Sequence, residues 1–357
     1  MEDIQLYNID IRSSIKNYRV SFIDSILDHL NNNIRNNDII VCDDKLDISL
    51  LVNNKVLRVE ASEKSKSFDG VNNLISNLLE IGLTKNDRII CVGGGTIQDL
   101  CSFTASIMLR GVDWIFYPTT LLSQGDSCIG SKTSINFREY KNQLGNFYPP
   151  SEVFIDVNIL NTLDHKDILS GIGEMSHYFF IKGGEDLDFF ADNYKKCFEI
   201  KKNIISIIRR SLLIKRDYIE IDEFDKGPRI IFNYGHTFGH AIESISEYTI
   251  PHGIAVSIGM DIANYISLCK GYISNKDFLK FRNILKPIWN EFYLSDLDVD
   301  RMINFMKKDK KNEYNKVGLI LTKGEGNMFK ELIDPYPDLF NHLNNYKSKY
   351  IKKRKKI

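Results

Sequence analysis

Apolar and polar positions follow two different periods along this chain. In the first 160 residues, short apolar runs rich in β-branched residues read as strands: Asp38-Ile39-Ile40-Val41-Cys42, ended by Asp43 and Asp44; Val56-Leu57-Arg58-Val59; Arg88-Ile89-Ile90-Cys91-Val92; and Trp114-Ile115-Phe116-Tyr117, ended by Pro118. Between them, residues 69–81 place apolar side chains at helical spacing, with Gly82 as a C-cap, and residues 96–109 form a second helix after a glycine turn at 93–95. This alternation predicts an α/β domain with a mostly parallel sheet covered by helices. After about residue 165 the period changes. Residues 166–220, 238–272 and 276–307 read as helices, and a short strand follows at 317–321, which predicts a mainly α-helical second domain. No internal repeat is visible. The expected division is an α/β domain over 1–164, a helical domain over 165–345 and a basic tail over 346–357.

Composition narrows the classes. The chain has 357 residues, 47 basic and 47 acidic, with 43% hydrophobic and 26% charged residues. That balance is typical of folded domains. It argues against a disordered chain and against a general nucleic-acid binder. The length suits two domains, each able to bury a core. No apolar segment is long enough for a membrane helix, and MEDIQLYNIDIRSS has no basic region followed by an apolar run, so neither a membrane span nor a signal peptide is expected. Cys42, Cys91, Cys101, Cys128, Cys197 and Cys269 are scattered with no CxxC pair, as expected of reduced, mostly buried thiols in a cytoplasm.

Three segments carry candidate chemistry. Strand, Gly93-Gly94-Gly95 and helix form a phosphate-binding arrangement, because glycines admit a close ligand and a helix N-terminus offers free N–H groups. A tight turn would explain the same glycines. His236 and His240, four apart, share one helix face; with His252 and Glu174 they could supply the carboxylate and two imidazoles of a catalytic metal site. Core or capping histidines are the alternative. Residues 124–147 hold Asp126, Lys132, Lys141 and Asn142 among glycines and small polar residues. That composition reads as a loop rather than a packed element: either plain polar surface or a site for a phosphorylated or carboxylated ligand.

Taken in order, these segments resemble the 3-dehydroquinate synthase family of sugar-phosphate cyclases, from about residue 38 to residue 330. GGGTIQDL resembles its GGGxxxDL cofactor turn, and YPTTLLSQGDSCIGSKTSIN its PTTLLxQxDSxxGxKTxxN. KNQLGNFYPP resembles KNxxGxFxxP, NYGHTFGHAIE resembles NxGHTxGHAxE, and MKKDKKN a late DKK segment. The resemblance implies a Rossmann-like N-terminal domain, a helical C-terminal domain and an active site between them. It implies NAD and a divalent metal, normally zinc, with cobalt as a substitute. The metal ligands would be Glu174, His236 and His252. Gly94, Gly95, Asp99, Thr119 and Thr120 would line NAD, with Glu63 and Lys66 in SEKSK, Lys132, Lys141 and Thr162 as further contacts and Asp43 as the acid after an early strand. Lys132, Asn142, Asn233, His240, Lys310 and Lys311 would hold the substrate phosphate. Lys215 and Arg229 would clamp its carboxylate, and Asp126 is a further candidate catalytic residue. Arg110, in MLRGVDW, matches an arginine that reaches the partner subunit, which implies a homodimer.

The implied reaction is the NAD-dependent cyclisation of a seven-carbon sugar acid phosphate with loss of phosphate. One position departs from the pattern. The family carries lysine three residues after the metal-binding glutamate, and here that residue is His177, which has one donor and one acceptor in place of three donors. Two more changes are GSK for GGK and Gln98 for a glycine. His177 raises a specialised branch acting on sedoheptulose 7-phosphate or another sugar phosphate, while Lys215, Arg229 and Asn233 keep the set expected for a carboxylated substrate. Rival expectations are a metal-dependent polyol dehydrogenase and a non-catalytic protein on the same scaffold.

Overall fold

The computed structural model describes residues 7–48, 55–138, 140–196, 201–290, 292, 297–307 and 315–351. The chain divides into two compact units, Met1–Leu163 with Ile204–Asp225, and Asp164–Asn203 with Lys226–Ile357.

The first unit begins with β1 (Ile9–Ile11), β2 (Tyr18–Phe22), α1 (Ile26–Asn33), β3 (Ile39–Asp43), β4 (Lys55–Val59), α2 (Phe68–Ile81), β5 (Arg88–Gly93), α3 (Gly95–Ile107) and β6 (Asp113–Pro118). It continues with β7 (Ile135–Phe137), β8 (Tyr140–Leu144) and β9 (Glu152–Ile155). Seven strands form one sheet in the order β1-β2-β9-β6-β5-β3-β4. Only the β1–β2 pair is antiparallel. The two apolar runs at its centre explain themselves. All six residues of β5 are buried, as a strand covered on both faces requires. Edge strand β1 alternates buried, exposed, buried. Helix α2 starts where the Ser67 hydroxyl accepts from the Gly70 N–H, and ends at Gly82, whose φ of 85° is the left-handed conformation foreseen for its C-cap.

In the second unit come α4 (His165–Lys182) and α5 (Gly184–Asn193), and, after α6 (Lys201–Ile219), α7 (His236–Ile245), α8 (His252–Cys269), α9 (Asn275–Trp289), α10 (Val299–Met306), the antiparallel hairpin of β10 (Val317–Thr322) and β11 (Met328–Ile333), and α11 (Phe340–Tyr350). Its axis is α8, buried along residues 253–267. A helix apolar all round belongs inside a core. Alanine at Gly253 would collide with the Ser170 carbonyl, and alanine at Gly173 with that of Gly253, so α4 and α8 cross backbone to backbone. That crossing sets Glu174 beside the start of α8.

Several expectations are corrected. The helical stretch 166–220 is interrupted at Gly183, whose φ of 69° ends α4. The stretch 238–272 breaks between Ser246 and Pro251, where Glu247 and Tyr248 take positive φ. Residues 204–225 group with the sheet unit rather than the helical one, because the Ser211 hydroxyl donates to the Gly125 carbonyl at 2.8 Å and Lys215 bonds Asp126. Residues 124–147 are not plain surface: Gln124, Gly125, Cys128, Ile129 and Ile135 are buried, and β7 and β8 form a hairpin. The tail does not begin at residue 346, since Tyr346 is fully buried on α11 and donates to Asp261 Oδ2 at 2.5 Å. Cys42, Cys91, Cys101 and Cys128 are buried free thiols and Cys269 is exposed and free, while Cys197 lies outside the described residues.

Candidate functional site

The glycine turn lies in the first unit, where β5 runs into α3. None of its three glycines has positive φ, so a left-handed turn is not the reason for them. A methyl at Gly93 would lie 2.7 Å from Ile97 Cβ, and one at Gly94 2.9 Å from Thr120 Cγ2. These two glycines let the strand, the helix and the Thr119-Thr120 segment pack together. Gly95 differs: a methyl there would meet nothing closer than Ser127 Oγ at 3.8 Å. Gly94 is the N-cap of α3 and offers no side-chain cap. The first-turn N–H groups beside Gly95 are therefore an anion-binding end. Thr119 is buried, and its N–H donates to the Gly93 carbonyl at 3.0 Å. The Gln98 side chain donates to the Ser127 carbonyl at 2.6 Å and accepts from its hydroxyl at 2.5 Å.

One turn into α3, Asp99 organises a polar cluster. Its Oδ2 meets Lys66 Nζ at 2.6 Å, and its Oδ1 accepts from the Ser134 N–H at 3.2 Å. Lys66 also donates to Asn142 Oδ1 at 2.5 Å. The Asn142 N–H donates to Asn136 Oδ1 at 3.0 Å, from a backbone at φ 53°. Asn136 Nδ2 then reaches Glu63 Oε2 at 2.8 Å, and Lys141 Nζ is 3.7 Å from Glu63 Oε1. Thus Glu63, Lys66, Asp99, Lys141 and Asn142, spread over 79 positions, form one network. Burial pushes the Asp99 carboxyl above its ordinary value, with Lys66 opposing. Nearby, Lys215 Nζ donates to both the carbonyl and Oδ1 of Asp126 at 2.7 Å. Lys132 pairs with Asp225 at 2.5 Å.

Other candidates take other partners. Asp43 ends β3 and accepts from the Lys45 N–H at 3.1 Å, and burial raises its carboxyl. Thr162 donates to the Ile159 carbonyl at 2.7 Å. Arg110 is exposed at φ 60°, with its carbonyl 3.3 Å from Lys85 Nζ. Lys310 and Lys311 lie outside the described residues.

The second unit holds the carboxylate and histidines. Glu174 projects from α4, His236 is the first residue of α7 and His252 the first of α8. Glu174 is 4% exposed. Its Oε1 is 3.3 Å from His236 Nε2, and its Oε2 is 3.3 Å from His252 Nε2. No well-formed hydrogen bond reaches that buried Oε2. A buried carboxylate whose two oxygens each face an imidazole nitrogen in this way fits a divalent cation. Burial opposes the Glu174 charge, but the facing His236 and His252 outweigh it and hold its carboxyl well below the usual range. Burial likewise opposes a charged His252, but Glu243 and Glu174 outweigh it and hold its pKa well above the usual imidazole value. The charged Glu174 carboxylate thus faces a point where positive charge is favoured. His240 follows on the same face of α7, its ring 5.6 Å from that of His236 and 5.5 Å from that of His252.

His177 is 1% exposed, and its ring lies 5.2 Å from that of His236. Its Nδ1 sits 2.5 Å from the Glu174 carbonyl, which places the proton on Nδ1. Arg229 is buried within the turn Pro228–Asn233, and Asn233 Nδ2 donates to the Ile230 carbonyl at 3.0 Å. Sequence reasoning missed Glu243, whose Oε2 is 2.8 Å from His252 Nδ1. The acid ending GHAIE was the available signal, seven residues after His236 and so on the same helix face.

The fold and the site define a protein with a glycine turn opening a helix on a mostly parallel α/β sheet, and a carboxylate–dihistidine centre on packed helices. Residues 56–170 match the 3-dehydroquinate synthase N-terminal family model, and residues 171–312 match the 3-dehydroquinate synthase C-terminal model. The chain is 37% identical over 293 residues to the 3-dehydroquinate synthase of Alkaliphilus metalliredigens, covering 81% of this chain and 82% of that protein. It is 40% identical over 275 residues to the enzyme of the same name from Pelagibacter ubique, covering 74% of each. The chain belongs to the 3-dehydroquinate synthase family. Its fold is shared by a 2-deoxy-scyllo-inosose synthase solved with carbaglucose-6-phosphate, NAD+ and Co2+, at TM-score 0.84 and 24% identity, over 95% of this chain and 98% of that one. A 2-epi-5-epi-valiolone synthase from Streptomyces hygroscopicus, solved with NAD+ and Zn2+, has it at TM-score 0.78 and 20% identity, over 93% and 97%.

Proposed function

We propose that this protein is a phosphate-eliminating cyclase that converts 3-deoxy-arabino-heptulosonate 7-phosphate to 3-dehydroquinate, with NAD and a divalent metal, zinc or cobalt. The observation that carries this is the convergence of Glu174, His236 and His252 on one point, in a chain whose family match spans both units.

When bound, the metal would supply Lewis-acid stabilisation of negative charge on a substrate oxygen. NAD would supply reversible removal and return of a hydride, with no net redox change. The rest falls to side chains. Gly95 lets the dinucleotide phosphates approach the start of α3, and Gly94, Thr119 and Thr120 shape that turn. Lys66, tied to Asp99 and Asn142, presents a fixed cation beside Glu63 and Lys141. Asp43 and Thr162 are further cofactor contacts. His240, Asn233 and Lys132, with Lys310 and Lys311, would bind the substrate phosphate. Arg229 suits the substrate carboxylate, because guanidinium matches a carboxylate in bidentate fashion. Lys215 is held ready for the same group by Asp126. His177, with Nδ1 committed to a carbonyl, offers an acceptor where a lysine would offer donors. Arg110 reaches the partner in a homodimer, and the enzyme works in the cytoplasm, in aromatic amino acid biosynthesis. Among the described residues no helix is long and apolar enough to cross a membrane.

The test is phosphate release from three substrates, each with NAD and zinc, with products identified by mass. These are the seven-carbon acid phosphate, sedoheptulose 7-phosphate and glucose 6-phosphate. Release from the first alone, without NADH accumulation, is expected. Steady NADH formation from glycerol or another polyol, or release from only one of the other two phosphates, would overturn the assignment.

A further inference from the structure

The metal set leaves one buried acid to explain. Glu243 lies on α7 with its side chain 9% exposed, and its Oε2 is 2.8 Å from His252 Nδ1. The other nitrogen of the same ring, Nε2, faces Glu174 Oε2 at 3.3 Å. A single imidazole therefore stands between two carboxylates, one at each nitrogen. His236 is arranged alike but with a different partner: its Nε2 faces Glu174 Oε1 at 3.3 Å, and its Nδ1 lies 3.2 Å from the Tyr234 carbonyl.

We propose that Glu243 is a positioning residue that accepts the Nδ1 proton of His252, fixes its tautomer with the Nε2 lone pair toward Glu174 and His236, and makes it the stronger donor of the two histidines. The proposal rests on the metal assignment above. Both rings present the same nitrogen to Glu174, and in both the opposite nitrogen is tied to an acceptor. A neutral imidazole has one N–H and one lone pair, so tying Nδ1 decides where the lone pair goes. A carboxylate behind the ring draws its proton more strongly than a backbone carbonyl does, which raises the electron density on Nε2. Glu243 thus does for His252, with a charge, what Tyr234 does for His236 without one.

The same residues allow a second arrangement. His240, Glu243 and His252 also bring three ligand atoms within 4.8 Å of one another, which could hold a second cation. His252 decides between the two. If Nε2 ligates through its lone pair, Nδ1 carries the proton and cannot ligate, and 2.8 Å to Glu243 is hydrogen-bond distance. A second ion would require the ring to lose both protons. One ion backed by a carboxylate needs no such step.

The experiment compares the full-length protein with its Glu243→Gln and Glu243→Ala variants. Zinc affinity is measured by chelator competition, zinc content by atomic absorption, and the thermal midpoint in the metal-free state. The wild type should hold one zinc per chain. Glu243→Gln keeps an acceptor but loses the charge, and should bind one zinc about 10-fold more weakly; Glu243→Ala should approach 100-fold. A cooperative metal-free melt of the Gln variant shows that it folds, so that its zinc affinity can be compared with that of the wild type. If the Ala variant does not fold, the near-isosteric Gln variant carries the comparison. Unchanged zinc affinity in Glu243→Gln would overturn the proposal, as would two zinc ions in the wild type with one lost in the variant. Zinc binding that is absent from the wild type, or unaffected by Glu174→Ala, would instead sink the metal assignment itself.

Discussion

Replacing Lys66 by methionine tests whether the cluster around Asp99 is a working ion pair or a set of chance neighbours. The two side chains meet at 2.6 Å, with Lys66 9% and Asp99 23% exposed. Methionine keeps the apolar stem and removes the charge. Asp99 would then retain the Ser134 N–H at 3.2 Å but no cation. Removing one partner of a fully buried pair costs about 3–5 kcal/mol, and the partial exposure of Asp99 reduces that to about 2 kcal/mol at neutral pH. For a unit of this size, such a loss lowers the thermal midpoint by about 4–8 °C. The pH dependence has a definite sign. Burial already raises the Asp99 carboxyl, and without Lys66 it rises further. A group with a raised folded pKa stabilises the native state when protonated, below its unfolded pKa, and that contribution is lost as pH rises through the folded value. The cost of Lys66→Met should therefore be small near about pH 4.5 and grow toward about pH 7.5. Circular dichroism melts of both proteins at these two pH values measure it. A midpoint change of less than about 1 °C at the higher pH, or a cost that does not shrink in acid, would refute the ion pair as a stabilising element.

Gly95→Ala should fold normally, because nothing crowds a methyl there, and should weaken NAD binding at least about 10-fold by blocking close approach to the N–H groups of α3. Gly93→Ala should cost about 1–3 kcal/mol of stability by overpacking against Ile97. NAD titration and thermal melts separate the two effects, and unchanged NAD affinity in Gly95→Ala would remove the close-approach role. His177→Lys should retain phosphate release from the seven-carbon acid phosphate; complete loss would indicate that the native substrate is another sugar phosphate. Burial opposes the Glu223 charge, but bonds from Ser14 and Ser13 outweigh it and lower its pKa. Its contribution, about 1–2 kcal/mol, is present above the unfolded carboxylate value and is lost as pH falls through the lower folded value. Glu223→Gln should be less stable than the wild type at neutral pH, and the gap should narrow in acid denaturation at about pH 3.

What could be read from the chain was local. The apolar runs at 39–42, 88–92 and 114–117 are the central strands β3, β5 and β6, and a strand buried on both faces carries that information in its own residues. Gly82 ends α2 because a left-handed backbone favours glycine wherever it occurs. The spacing of His236 and His240 put them on one helix face, and the ordered motifs named the family. Tertiary structure decided the rest. Strands β1, β2 and β9 are short, and β9 takes its place between β2 and β6 only through pairing with residues far away in sequence. No local period specifies such a pairing. Gly173 and Gly253 look unremarkable in the chain, yet their close approach is what brings α4 to α8 and Glu174 to His252. Lys66, Asp99 and Asn142 are scattered polar residues until the sheet and its loops gather them. Glu243 illustrates the division: its sequence position put it on the face of His236, but only the fold turned its carboxylate to the far nitrogen of His252. A charge acts through space, and the distance that gives it a role is set by packing rather than by its place in the chain.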